Sequence, residues 1–131
     1  MLLKRILQVE DDPDTAFISK LVLEEAGGYD VQQCTNQMDA ISATQDFDPQ
    51  LLLLDFMLPG HSGLEIWDML RGLPGYEDTP AIFLTARAEP ELRSHLLAQG
   101  ALAVLTKPFD AVRLAGTIRA HWRTYKDSRR A

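Results

Sequence analysis

Short, densely apolar runs alternate along this chain with longer stretches in which apolar residues recur every three or four positions. The dense runs are "RILQV" (5–9), "LLLLD" (51–55), "AIFLT" (81–85) and "ALAVLT" (101–106), while "YDVQQC" (29–34) alternates apolar with polar. Runs this short and continuous predict strands buried on both faces, and strict alternation predicts a strand at a sheet edge. Between them, start and stop signals predict helices. Asp12-Pro13 is an N-cap residue with proline at the first helical position; Ala16, Phe17, Leu21 and Leu23 give part of an apolar face, and Gly27-Gly28 ends it. Asn36 caps a second helix carrying Ala40, Ile41 and Ala43, and "SGLE" (62–65) is a capping box opening a third. Residues 88–99, with Leu92 and Leu96 four apart, predict a fourth helix ending at Gly100. Asp110 caps a fifth, with Leu114, Ala115, Ile118 and Trp122 along one stripe.

A strand followed by a helix, five times over, predicts the α/β class: a doubly wound five-stranded parallel sheet, (βα)5, with right-handed crossovers and helices on both faces. The flavodoxin-like strand order 2-1-3-4-5 puts the polar "QQ" strand at the edge and the leucine-rich third strand in the middle. Its ligand crevice lies between strands 1 and 3, beyond their carboxyl ends.

Length and composition change this picture little. The 131 residues suit one domain, and 46% hydrophobic with 24% charged is ordinary for a soluble globular chain. A net charge of −6 argues against a nucleic-acid binder. The single cysteine, Cys34, cannot close an internal disulfide and reads as a small core residue in a reducing compartment. No apolar run reaches the length of a signal sequence or a membrane span, so the expected location is the cytoplasm. The basic tail "WRTYKDSRRA" reads as a frayed helix end or linker, with a domain over 1–125 and a polar tail over 126–131.

The chemistry gathers at the strand ends. Glu10-Asp11-Asp12 follows strand 1, Asp55 ends strand 3, Thr85 ends strand 4 and Lys107-Pro108 follows strand 5. Carboxylates this close cannot all stay ionised without a cation. Hard oxygen ligands in a hydrated site suit Mg²⁺, or Mn²⁺, which takes one or two carboxylates and keeps waters and a phosphate oxygen. A carboxylate so placed can act as a nucleophile and form an aspartyl phosphate. Mg²⁺ and Lys107 would supply positive charge, while the Thr85 hydroxyl and the Ala86 amide would hydrogen-bond a phosphoryl oxygen. Asp12 is assigned to helix capping; His61, His95 and His121 are scattered without ligand spacing.

These pieces, "ILQVEDDPD", "LLLLDFMLPGHSGLE", "TPAIFLTA" and "LTKPF", resemble the receiver domain of two-component response regulators over nearly the whole chain. The resemblance implies that Glu10 and Asp11 are the acidic metal pair, Asp55 the phosphoacceptor and Met57 the donor of a metal-binding backbone carbonyl. It further implies that Thr85 is the switch hydroxyl, Lys107 the phosphate-contacting lysine, and Lys107-Pro108 a cis bond. Pro59 and Gly63 fit the family's turn into the third helix. The implied partners are a histidine kinase or histidine phosphotransfer protein and an output domain or downstream protein. A phosphorylation-dependent homodimer is also implied, without direct nucleic-acid or membrane contact. Such a module is not an enzyme beyond its own phosphorylation and slow dephosphorylation. "LTARAE" resembles receivers of winged-helix transcription factors, but "GALAVLTKPF" lacks the paired acids and aromatic they carry before the lysine. Where most receivers place a rotating ring, this chain has Val104.

Three other readings compete. A haloacid-dehalogenase-like phosphatase also uses an aspartate nucleophile with Mg²⁺, but would carry a second aspartate where Met57 stands. Flavin binding would want a hydroxyl- and glycine-rich loop after strand 1 rather than acids. A receiver serving as an unphosphorylated scaffold would have no need of the intact acidic set.

Overall fold

The protein is described here by a computed structural model covering residues 2–87 and 89–129. Its elements run β1 (Arg5–Val9), α1 (Pro13–Glu25), β2 (Asp30–Cys34), α2 (Gln37–Phe47), β3 (Leu51–Asp55), α3 (Gly63–Arg71), β4 (Ala81–Thr85), α4 (Pro90–Ala98), β5 (Ala103–Thr106) and α5 (Leu114–Ser128). All strand pairs are parallel and the sheet order is β2-β1-β3-β4-β5. This is the doubly wound, flavodoxin-like arrangement expected from the sequence, with the "QQ" strand at the edge.

Strand parity divides the core. Successive side chains on a strand point to opposite faces, so the four leucines of β3 split in pairs. Leu52 and Leu54 join Leu7, Val9 and Phe83 beneath Ile66, Trp67, Leu70 and Leu96 of α3 and α4. Leu51 and Leu53 join Ile6, Ile82 and Leu84 beneath Leu23 of α1 and Leu114, Ile118 and Trp122 of α5. A continuous apolar run is what a strand covered on both faces needs.

Four local expectations are corrected. In α1 the face turned to the sheet carries Ser19 and Leu23, whereas Phe17 is 66% and Leu21 45% exposed. The buried stripe passes through a serine, so following apolar residues alone turns the helix the wrong way. α4 begins at Pro90 rather than 88; Ala88 lies outside the described residues. β5 begins at Ala103 because the amide of Ala101 bonds back to the Leu96 carbonyl at 3.1 Å and closes the end of α4. Asp110 does not cap α5. Its Oδ1 accepts from the Val112 amide (3.0 Å) and its carbonyl from the Arg113 amide (3.1 Å), making a separate turn before the helix. Helix α5 itself runs through Lys126, Asp127 and Ser128.

The remaining caps match. Asp12 accepts from the Thr15 amide, Asn36 from the Asp39 amide, and Ser62 with Glu65 completes a capping box. No helix among the described residues is long and apolar enough to cross a membrane.

Candidate functional site

The same parity that splits the core assembles a charged cluster. Glu10 extends β1 by one residue, its amide bonded to the Cys34 carbonyl at 3.0 Å, and Lys107 extends β5 through the Thr85 carbonyl at 2.8 Å. Counting along each strand, Glu10, Asp55 and Lys107 all fall on the sheet face that packs on α1 and α5. Lys107 Nζ donates to Glu10 Oε2 at 3.0 Å and to Asp55 Oδ2 at 3.1 Å, and lies 2.8 Å from Glu10 Oε1. Asp55 Oδ1 accepts from the Met57 amide at 3.1 Å, and Glu10 Oε2 from the Asp12 amide at 3.1 Å. Glu10 and Asp55 are buried, 2% and 6% exposed, while Asp11 is open to solvent.

One ammonium therefore serves two buried carboxylates. Lysine sees two anions, and its hydrogen bonds to Glu10 and Asp55 outweigh the burial that opposes its charge, so its pKa rises. Glu10 sees half a cation and a second anion. Burial, reinforced by the charge of Asp55, raises its pKa above the ordinary carboxylate value despite the hydrogen bond from Lys107. The cluster is short of positive charge.

The donor set suits a hard divalent ion. Glu10, Asp11 and Asp55 each offer a carboxylate oxygen, all within 4.8 Å of one another. Glu10 Oε1 is buried and, apart from the ion pair with Lys107 at 2.8 Å, takes no hydrogen bond. Oxygen-only ligands on one open side match Mg²⁺, which binds through few carboxylates and retains water. The backbone of Met57 is held beside Asp55 by its amide and by a bridge to Ser62, while its side chain is 58% exposed.

The loop after β3 is built around Gly63. Its amide donates to the Phe56 carbonyl at 2.8 Å, and a Cβ there would overlap the carbonyl oxygen of Asp55. Only a residue without a side chain lets α3 start this close to the end of β3. Helix α3 then opens with the Ser62–Glu65 capping box.

Thr85 and Ala86 stand one strand over. Thr85 is fully buried and lies one position beyond Leu84, the register partner of Asp55. Its Oγ1 accepts from the Arg87 amide at 3.0 Å, and it does not join the lysine–carboxylate cluster. The Lys107-Pro108 bond is cis. Residue-type reasoning missed Arg87, whose guanidinium lies 5.9 Å from the Phe56 ring centroid beside the site. The only available signal was position: Phe56 directly follows the end of β3, and Arg87 is the second residue after the end of β4.

The histidines stay outside. His95 is exposed, His121 is half-buried, and half-buried His61 faces Glu65 at 3.8 Å. Cys34 is half-buried, and burial pushes its thiol up to about 12.

Comparison with known proteins gives this site its context. The family model for the response regulator receiver domain matches residues 6–119. The chain is 38% identical over 125 residues to the phosphate regulon transcriptional regulatory protein PhoB of Rhizobium meliloti, covering 95% of this chain and 55% of that one. It is 39% identical over 109 residues to an uncharacterized 14.6 kDa protein in the sodA1 3' region of Leptolyngbya boryana, covering 83% and 82%. Among solved structures it superposes on the chemotaxis response regulator CheY4 of Vibrio cholerae with a TM-score of 0.80 and 26% identity, covering 91% of this chain and 98% of that one. The chain spans about half the length of the PhoB relatives it matches. Receiver domains are signalling modules that bind Mg²⁺ at an acidic site and work with histidine kinases and output domains. The sheet order, the acidic rim and the match over residues 6–119 lead to one conclusion: this chain belongs to the response regulator receiver domain family.

Proposed function

We propose that Asp55 is the phosphoacceptor of a two-component phosphorelay. The observation that carries this reading is the Asp55 carboxylate itself, buried at a strand end yet bonded on one oxygen to Lys107 and on the other to the Met57 amide. Those two contacts fix its orientation and leave the outward side for an incoming group.

In the proposed step an Asp55 carboxylate oxygen forms a bond to phosphorus as the phosphorus–nitrogen bond of a donor phosphohistidine breaks. The electron pair of that bond stays on the imidazole nitrogen. Lys107 places positive charge beside the phosphoryl oxygens as it gives up part of its bonding to Asp55. The Thr85 hydroxyl and the Ala86 amide donate to a phosphoryl oxygen, and Thr85 reorients away from the Arg87 amide it now accepts from. Glu10, Asp11, Asp55 and the Met57 carbonyl would hold Mg²⁺ (or Mn²⁺ in its place), which would supply positive charge to offset the carboxylates and the phosphoryl group.

The partners that fit are a histidine kinase or histidine phosphotransfer protein as donor, in the cytoplasm, and an output domain or downstream protein as receiver of the signal. A phosphorylation-dependent homodimer belongs to the same reading, and residues 1–125 make up the receiver unit. The phosphatase alternative gains no support: two residues after Asp55 stands Met57, which contributes a backbone amide and an exposed thioether but no acid–base group. Incubation with acetyl phosphate and Mg²⁺ tests the proposal. Intact mass is expected to show one added phosphoryl group per chain, absent when EDTA replaces the metal. A chain that takes up none under these conditions contradicts it.

A further inference from the structure

Below the charged rim formed by Glu10, Asp55 and Lys107, the face of the sheet beneath α1 and α5 is apolar except at one place. Gln8, on the inner strand β1, is 1% exposed, and Ser19 of α1 above it is fully buried. Gln33, the register partner of Gln8 on β2, completes a layer. Gln33 Nε2 donates to Gln8 Oε1 at 2.7 Å and to the Ala16 carbonyl at 2.6 Å. Gln8 Nε2 donates to Ser19 Oγ at 2.9 Å, and the Ser19 hydroxyl reaches the Thr15 carbonyl at 2.5 Å.

Stability gives no reason for this layer. A satisfied buried polar group contributes little net, and replacing all partners together by apolar groups of similar shape is close to neutral. What the layer does is anchor the first half of α1. Of the large apolar residues there, Phe17 and Ile18 are 66% and 39% exposed, the small Ala16 is half-buried, and Leu23, which packs fully in the core, lies at the far end of the helix. The Ala16 carbonyl is thus tied to β2 by Gln33, and Ser19, which also bonds the Thr15 carbonyl one turn back, is tied to β1 by Gln8.

Those ties bracket residues 10–12. Glu10 is held by Lys107 and the Asp12 amide, and Asp12 by the Thr15 amide. Among the described residues, Asp11 makes no side-chain hydrogen bond or ion pair, so its carboxylate goes where the backbone puts it. One end of that backbone leaves β1 two residues after Gln8, and the other enters α1 just before Thr15. Mg²⁺ demands near-ideal octahedral geometry, so a small slide of α1 across the sheet would misplace this ligand.

We propose that Gln8, Ser19 and Gln33 are positioning residues whose hydrogen-bonded layer sets the seat of α1 and thereby places Asp11 for the divalent cation. This rests on the metal reading given above.

The test is Mn²⁺ titration followed by electron paramagnetic resonance of the free ion, with thermal unfolding measured alongside. The wild-type chain is compared with the Gln8→Leu, Ser19→Ala, Gln33→Leu triple variant, which removes every partner at once. Expected are a melting temperature close to wild type and Mn²⁺ affinity weaker by about tenfold, as for other supports of metal ligands. Affinity within about twofold of wild type in a folded variant overturns the proposal. Gln33→Met, at a half-buried edge position, decides the matter if the triple variant does not fold: weakened binding supports the layer's role and unchanged binding overturns it. A wild-type chain that binds no Mn²⁺ removes the metal reading, and this inference with it.

Discussion

Lys107 and Asp55 stand 52 residues apart in sequence, yet Nζ of one donates to Oδ2 of the other at 3.1 Å. The contact follows from two strand ends on one sheet face, and Glu10 shares the same ammonium. A single lysine between two buried carboxylates explains why one face of the rim is both fixed in shape and short of positive charge.

The shared lysine sets a pH dependence. Burial raises the folded-state pKa of Glu10 above its ordinary 4.5. The folded chain therefore binds a proton more readily than the unfolded chain. The corresponding stability is fully present below about 4.5 and is lost as pH rises through the folded value. Metal-free Glu10→Gln is expected to melt higher than wild type at pH 7, with the gain vanishing as pH falls toward 4.5. Thermal scans in EDTA across that range check it; a variant less stable than wild type at pH 7 contradicts the account.

Gly63→Ala tests the packing of the loop against β3. Alanine in a helix is favoured over glycine by about 1 kcal/mol. Here the new methyl group would overlap the Asp55 carbonyl oxygen and crowd the Phe83 ring at 3.1 Å. Overlap with backbone is the larger effect, and a net loss of about 2–3 kcal/mol is expected from urea unfolding. A gain in stability would show that α3 can move away from β3 at little cost.

The placement of Val104 bears on how the site is read out. Val104 is buried at 5% exposure, stiff about χ1, and its carbonyl accepts from Arg93 Nη1 of α4 at 2.7 Å. A branched side chain cannot swing as a ring does, and the arginine ties α4 to β5. Amide shift mapping with beryllofluoride and Mg²⁺ is expected to give large changes over 55–63 and 83–90. Equally large changes along 101–106 and into α5 would overturn this.

The architecture was legible in the sequence because parallel strands covered on both faces leave an unmistakable mark. The "LLLLD" run, the capping box at Ser62 and the acids after β1 each pointed to the right element. The errors have two causes: reading the face of α1 from apolar residues alone, and reading Asp110 as a cap from its residue type without its local hydrogen bonds. Ser19 lies on the buried face of α1 while Phe17 faces solvent, and Asp110 serves its own turn. The lysine–carboxylate cluster could be foreseen as a gathering of strand ends. Its distances and the sharing of one ammonium could not, because they depend on side-chain reach across three strands. Gln8 sat in plain view as the one polar residue between apolar neighbours in "RILQV", yet its partners lie 11 and 25 residues away.

Locating the phosphoryl group tests the central claim most directly. Chain phosphorylated with acetyl phosphate and Mg²⁺ is reduced with borohydride, which converts an aspartyl phosphate to homoserine, and the peptides are sequenced by mass spectrometry. The account predicts homoserine at position 55 alone, and no uptake at all in Asp55→Asn. Reduction at Asp11 or Asp12 in place of Asp55, or a stable phosphoryl group on His61, would contradict it.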